Sequence, residues 1–214
     1  MSAEIRRGTD RFVDKQPGRV TRHSFAFGDS YDADNLRFGP MVCHDDHFLA
    51  DGRGFETHRH SGLVIVTYVA TGALAHTGPA GETTVPAGSI AVLRTGAGVE
   101  HSEVAAAPQT RFVQVWLSDE QPTAEPTYDV LPEGVSTVEP LPGARFDVVR
   151  LADGETCTVP PAARAHVYVV RGALLRSSLA EPMQEGDAFR FVDEPARDLA
   201  AAVASTLLVW TFAG

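Results

Sequence analysis

Three histidines and one glutamate occur in two short motifs whose spacing could bring their side chains together around a metal ion. GFETHRHSG places two imidazoles two positions apart, and GAGVEHSEV gives an imidazole and a carboxylate the same spacing: His58 with His60, and His101 with Glu103. Alternate residues of a β-strand point to the same face, so each motif would present its two side chains together. If the motifs lie on neighbouring strands, three nitrogens and one carboxylate oxygen converge.

This donor set suits a divalent first-row metal. No thiolate belongs to it, which argues against a structural zinc site. Iron(II) is the expected ion, because mixed histidine and carboxylate ligation with open positions admits oxygen or a chelating substrate. Zinc, manganese, nickel and copper are the alternatives. The competing interpretation is that these histidines lie on the surface or in a core and never meet.

Other clusters point to chemistry less clearly. CHDDH (Cys43–His47) lacks a second cysteine or a distant histidine pair with zinc-finger spacing, so Asp45 and Asp46 are interpreted as turn residues. His23 and His76 are interpreted as ordinary histidines. A G-x-S-x-G elbow and a Walker A loop are both missing from the sequence, which excludes the usual nucleophilic and nucleotide-binding signatures.

The composition limits the partners. With 18 basic and 28 acidic side chains the formal net charge is −10, so direct nucleic-acid binding, which depends on Lys and Arg, is not expected. A protein partner is compatible with this charge. The apolar runs fall short of the roughly 20 residues that a membrane helix needs. Cys43 and Cys157 have no disulfide-framework spacing, which indicates free thiols and a cytoplasmic location.

Short runs rich in Val, Phe, Tyr and Thr, separated by Gly or Pro, predict an all-β fold. Three of these runs recur in the same order, offset by 95 to 100 residues: YVATGAL as YVVRGAL, PAGSIAVL as QEGDAFRF, and FVQVWL as LLVWTF. This repeat predicts two tandem β-units. The residues that match His58 and His60 in the second unit are Thr158 and Pro160, so that unit lacks the metal-binding residues.

The predicted boundaries follow from the repeat and from a run of prolines. Residues 1–118 are expected to form the first, metal-binding unit, residues 119–143 a Pro-rich linker, and residues 144–214 the second, degenerate unit. Prolines remove ladder donors and favour an extended connection. A monomer is expected, because two tandem units can cover their open faces within one chain.

Several segments resemble the pirin family, whose members are two-domain cupins. The resemblance covers most of residues 20–117 and rests on RHSFAFGDSYD, NLRFGPMV, GFETHRHSG, VTYVATGALAH, VPAGSIAVL and, above all, TGAGVEHSE. It implies a bicupin: two tandem cupin barrels of the double-stranded β-helix or jelly-roll type. It also implies a single metal, usually iron, held in the first barrel by residues that match His58, His60, His101 and Glu103.

The resemblance leaves two functions open. Some pirins are quercetinases, which open a flavonol ring with dioxygen; this chain would then act on a flavonol or a similar enediol, with Glu103 taking the hydroxyl proton. Other pirins are described as transcriptional cofactors or redox-responsive regulators, which would make this chain a non-enzymatic module that binds a protein partner.

One position departs from the family pattern. The family usually has a glutamate four residues after the second histidine of its HxH motif, whereas this chain has Val64. The expectation from the resemblance is that a carboxylate able to orient a histidine is lost, with lower metal affinity or oxygenase activity.

Overall fold

The computed structural model describes residues 1–132, 134–175 and 181–214. A short 3-10 turn, Gly8–Asp10, follows the first strand, and strands make up most of the rest. In chain order these are β1 (Ser2–Arg6), β2 (Phe12–Gln16), β3 (Arg19–His23), β4 (Met41–Leu49), β5 (Gly54–His60), β6 (Leu63–Thr71), β7 (Ala73–Gly78), β8 (Gly81–Pro86), β9 (Ile90–Arg94), β10 (Val99–Ala105), β11 (Thr110–Ser118), β12 (Thr127–Val130), β13 (Thr137–Leu141), β14 (Ala144–Leu151), β15 (Thr156–Val159), β16 (Arg164–Arg171), β17 (Ala173–Leu174), β18 (Met183–Gln184), β19 (Ala188–Val192), β20 (Arg197–Ala200) and β21 (Ser205–Phe212). The predicted all-β class is confirmed. Within the described ranges, no helix is long and apolar enough to cross a membrane.

The chain forms two compact units. One comprises residues 11–135, and the other combines residues 1–10 with residues 136–214. The N-terminal strand β1 belongs to the latter because it pairs antiparallel with β19. The segment predicted as a linker contributes β12 to one unit, where it pairs with β9, and β13 to the other, where it pairs with β14. The boundaries at residues 118 and 143 stay a prediction, and Glu133 within that segment lies outside the described residues.

The unit of residues 11–135, called the first unit below, contains two antiparallel sheets. The larger has the strand order β12-β9-β6-β11-β4-β3-β2, and the smaller has the order β5-β10-β7-β8. Alternation along the strands sends one set of side chains of each sheet into the interior. The apolar part of this interior is a cluster from both sheets: Leu49, Val69, Leu74, Val85, Ala91, Ala105 and Phe112. The two histidine motifs lie on β5 and β10, which are adjacent strands of the smaller sheet.

The interpretation of CHDDH as a turn is wrong, because the five residues lie within β4, the neighbour of β3 and β11. Each acidic side chain has a basic partner that permits its burial in a sheet. Asp45 Oδ2 lies 2.8 Å from His23 Nδ1. Asp46 accepts two hydrogen bonds from the Arg111 guanidinium, at 2.9 and 2.8 Å. Sequence spacing alone does not reveal these partners, since they come from distant strands.

The second unit has a six-stranded sheet of order β1-β19-β16-β21-β14-β13 and two pairs, β15-β20 and β17-β18. Its interior is apolar, with Val167, Val169, Phe189, Leu207 and Val209 among the buried residues. The cysteines of both units are free thiols, as predicted.

The buried His47 gives the fold a pH dependence that can be tested. Its ring lies 4.9 Å from Phe55 and 4.6 Å from Phe112, centroid to centroid, and Nδ1 is 2.9 Å from the hydroxyl of Thr21. Burial lowers the pKa of His47 to about 4, although Asp45 and Asp46 oppose the shift. Because the folded pKa is below the unfolded value, the neutral ring favours folding above pH ~6.5 and this contribution is lost as pH falls toward 4.

We predict that His47→Gln flattens the loss of stability on acidification. Between pH 7 and pH 5 the free energy of unfolding of the metal-free variant should fall by about 2 kcal/mol less than that of the wild type. Chemical denaturation measures the free energy of unfolding at the two pH values. The change in that free energy between pH 7 and pH 5 is compared for the two proteins, rather than their absolute stability. An equal decrease in both proteins would contradict the assignment.

Candidate metal centre

The antiparallel pairing of β5 with β10 brings the two histidine motifs together. His101 lies opposite His58 across the pair, and Val99 lies opposite His60. Between His101 and Glu103 the register shifts, because β10 advances two residues while β5 advances three, from His58 to Phe55. Such a β-bulge bends a strand and re-aims its side chains. The predicted neighbourhood of the motifs is therefore present in the structure.

Close contact between the two backbones fixes this geometry. A Cβ atom at Gly54 would overlap the carbonyl oxygen of Glu103 and would lie 2.7 Å from the Cα of Val104. Only glycine lets the start of β5 approach β10 this closely.

His58, His60 and His101 converge. One ring nitrogen from each lies within 4.8 Å of the other two, as expected for atoms that could share one ion. The ring centroids are 4.4 Å apart for His58 and His101, 4.9 Å for His58 and His60, and 5.3 Å for His60 and His101. Among the described residues of the chain, these three form the group of metal-binding side chains found at this spacing. They thus meet, contrary to the competing interpretation.

The nitrogens that face the cluster are free to act as ligands. His58 Nδ1 donates a 2.7 Å hydrogen bond to the carbonyl of Glu56, which leaves its Nε2 available. His60 Nε2 and His101 Nε2 are buried and have no hydrogen-bond partner within the described part of the chain. Buried polar atoms normally have partners. Lone pairs pointing at a shared cation would explain this exception.

Burial keeps the rings of His60 and His101 neutral. It lowers the pKa of His60 to about 4, and the neighbouring His58 adds to the effect. Burial lowers the pKa of His101 to about 3, with further contributions from His58, His76 and His60. Metals bind the neutral form of imidazole. At neutral pH His60 and His101 therefore present ligand nitrogens without first having to release protons.

Glu103 is buried beside the histidines and belongs to a hydrogen-bonded network. Its Oε1 accepts a 2.7 Å bond from Gln114 Nε2, and Gln114 Oε1 accepts a 2.8 Å bond from Trp116 Nε1. Burial raises the pKa of Glu103 to about 7, although the bond from Gln114 opposes the shift. The three-histidine group does not include Glu103, so its role as a fourth ligand stays a prediction.

Two further aromatic residues, His76 and Trp116, contact the cluster, and a third, Tyr128, stacks on His76; the sequence analysis assigned none of them to the site. His76 Nε2 lies 3.1 Å from His101 Nδ1, so His76, interpreted as ordinary, belongs to the site. The ring of Tyr128 stacks on His76 at 3.7 Å and 8°. Trp116 meets His60 edge to face at 4.6 Å. Alternation along β7 buries His76 on the same face as Leu74, but only the pairing of β7 with β10 identifies the partner of His76.

Val64 points away from the cluster. On β6 it alternates with Ile65 and Thr67, and Thr67 faces the interior because its hydroxyl accepts a bond from Gln114. Val64 therefore lies on the opposite face, across from Arg94 on β9. A glutamate here would be positioned near Arg94, so the expected loss of a carboxylate that orients a ligand is wrong.

Comparisons with known proteins identify sequences similar to this chain. A family model described as Pirin matches residues 6–117. A Mycobacterium bovis protein that is provisionally named quercetin 2,3-dioxygenase is 33% identical over 231 residues, covering 98% of this chain and 94% of the relative. A quercetin 2,3-dioxygenase of Escherichia coli K12 is 31% identical over 110 residues, which are 50% of this chain and 48% of that protein.

Solved structures show the same fold. The bacterial pirin YhhW of Escherichia coli, in complex with nickel(II), superposes with a TM-score of 0.91 at 23% identity over 99% of each chain. A variant of Bacillus subtilis oxalate decarboxylase superposes with a TM-score of 0.64 at 10% identity, over 98% of this chain and 77% of that one. The predicted tandem cupin fold is therefore confirmed. From the family match and the near full-length relative, the chain belongs to the pirin family.

Proposed function

We propose that this protein is a metal-dependent dioxygenase of the quercetinase type. Its first unit would bind one divalent metal ion through His58, His60, His101 and Glu103, and its substrate would be a flavonol or a similar enediol. The observation that carries this proposal is the convergence of three imidazoles, with one ring nitrogen of each within 4.8 Å of the others, two of them having a buried Nε2 without a hydrogen-bond partner among the described residues. The names of the relatives suggest the reaction class.

The donor set fits such an ion. Three imidazole nitrogens with a neighbouring carboxylate suit iron(II), and also nickel, manganese, copper or zinc. The bacterial pirin YhhW was solved in complex with nickel(II), which supports a divalent ion as the metal of this chain. Iron(II) remains our preferred ion for dioxygen chemistry. When bound, the ion would supply a Lewis acid and a template for two adjacent substrate oxygens.

Glu103 is suited to move the substrate proton. A pKa raised to about 7 lets its carboxylate accept a hydroxyl proton near neutral pH and release it again. The hydrogen bond from Gln114 holds one oxygen, so the lone pairs of the other would serve both the metal ion and the substrate proton. Gln114 is itself fixed by Trp116 and Thr67, which limits rotation of the amide.

An aromatic wall beside the cluster fits a planar substrate. Trp116 contacts His60, and Phe27 meets Trp116 edge to face at 5.9 Å. Phe27 is 44% exposed, so part of this wall is open to solvent. A flat ring that chelates through neighbouring oxygens could pack here while its oxygens reach the histidines.

The alternative is a non-enzymatic, redox-responsive module that binds a protein partner. Val64 was the sequence cue for weakened catalysis, and its position on the opposite face of β6 removes that cue. We therefore prefer the enzyme. The cytoplasmic location and the monomeric state remain parts of this proposal, to be checked by fractionation and by light scattering.

We predict that the protein purified without chelators contains about one equivalent of a divalent metal and consumes quercetin in air. Elemental analysis measures the metal, and loss of the visible absorbance of quercetin, together with oxygen uptake, measures turnover. The controls are chelator-treated protein and a His58→Ala, His101→Ala double variant, both of which should be inactive. Metal binding without turnover would favour the partner-binding module, and absence of metal would exclude both functions.

We predict that Glu103→Gln lowers kcat by at least about 100-fold, because the amide cannot accept the substrate proton. The shape of the side chain is retained, so the Kd for quercetin should change by less than about threefold. Steady-state kinetics and anaerobic quercetin titration separate the two effects, and elemental analysis confirms equal metal content. Full activity in the metal-loaded variant would contradict the proposed role of Glu103.

A further inference from the structure

The two nitrogens of His101 face different partners. Its Nε2 is buried in the cluster without a hydrogen-bond partner among the described residues, whereas Nδ1 lies 3.1 Å from His76 Nε2. A neutral imidazole carries one proton, so its Nε2 offers a lone pair only when the proton is on Nδ1. In that tautomer Nδ1 is a buried donor, and His76 Nε2 is the acceptor within reach.

The surroundings of His76 hold its ring in position. His76 is only 1% exposed, and Tyr128 stacks on it nearly parallel, with the ring centroids 3.7 Å apart. On the same strand, a Cβ at Gly78 would lie 2.5 Å from His76 Cε1 and 3.4 Å from the Cβ of His101. Glycine at this position therefore leaves room for the ring. These contacts restrict the ring to an orientation in which Nε2 faces His101.

The hydrogen bond between the two histidines can run in either direction. If His76 donated, His101 would carry its proton on Nε2, which is buried in the cluster and has no hydrogen-bond partner among the described residues. If His101 donates, the proton lies between the two rings and the cluster keeps three lone pairs. His76 then carries its single proton on Nδ1, which is buried and has no hydrogen-bond partner among the described residues. The second arrangement is the one that can bind a cation.

We propose that His76 is a positioning residue for the metal site: it accepts the Nδ1 proton of His101, and Tyr128 holds its ring in place. This inference rests on the proposed function, since it requires His101 to be a ligand. It also gives a role to the Pro-rich segment between the two repeats. Tyr128 lies on β12, an edge strand that pairs with β9, and reaches the smaller sheet through its contact with His76. A segment predicted as a linker would thus support the metal site.

The test compares binding of Ni²⁺ alone to metal-free wild type and to His76→Phe, which keeps a flat ring against Tyr128 and removes the acceptor. Isothermal titration calorimetry should show affinity about 10- to 100-fold weaker in the variant, the range typical for loss of a residue that orients a metal ligand. Thr77→Ala is the matched control, since Thr77 is exposed at the next position of β7 and should bind Ni²⁺ as the wild type does. Partial recovery is expected in His76→Gln, whose amide oxygen can accept the proton.

A second measurement does not depend on the metal. Nitrogen-15 NMR of the His101 ring in metal-free protein should show the proton on Nδ1 in the wild type and a shift toward Nε2 in His76→Phe. Tyr128→Ala, a change on an edge strand, should weaken Ni²⁺ binding and leave His101 in a mixture of tautomers, which keeps the test available if His76→Phe does not fold. Unchanged affinity together with an unchanged His101 tautomer would overturn the role of His76. Failure of wild type to bind Ni²⁺ would instead count against the proposed metal site, while the NMR comparison would still test His76.

Discussion

The antiparallel register between β5 and β10 is the constraint on which the candidate site depends. It sets His101 opposite His58, and the bulge that follows re-aims the next residues of both strands. The backbone contact at Gly54 prevents the two strands from separating at this point. A shift of one residue would turn the side chains of one strand to the other face and disperse the imidazoles. Strand pairing therefore determines whether the imidazoles can form a metal site.

The larger sheet of the first unit supplies the polar groups that complete this site. Gln114 on β11 bonds to Thr67 on β6 within its own sheet and to Glu103 on β10 in the smaller sheet. Tyr128 on β12 also links the two sheets, because its ring stacks on His76 of β7. The network thus adds a buried polar link between the two sheets, which are also joined at their edges by hydrogen bonds such as that from Arg19 to the carbonyl of Gly54. Because its members are buried, each hydrogen bond matters more than it would at the surface. The same side chains that orient Glu103 also hold the unit together.

Local patterns predicted the fold and the histidines, while pairings between distant strands escaped them. Spacing at i and i+2 identified His58, His60 and His101, since a strand has a fixed period. The turn assigned to CHDDH failed because the partners that allow Asp45 and Asp46 to be buried come from other strands. His76 and Val64 were misjudged for the same reason: whether a side chain faces the cluster depends on register, which sequence periodicity does not provide. The strand β12 was not predicted, because the prolines around it favoured a linker.

The repeat offers a physical argument for function. The second unit keeps the tandem fold with an apolar interior formed by residues such as Val167, Phe189 and Leu207. The apolar cluster of this unit therefore forms without imidazoles or carboxylates, although the unit buries His166 and Asp187 elsewhere. In the first unit, burial lowers the pKa of His60 and His101 and raises that of Glu103, so the charged forms are disfavoured, and two ring nitrogens lack hydrogen-bond partners among the described residues. Such an interior lowers stability unless a ligand compensates for it. The contrast between this polar interior and the apolar cluster of the second unit favours a cation bound in the first unit.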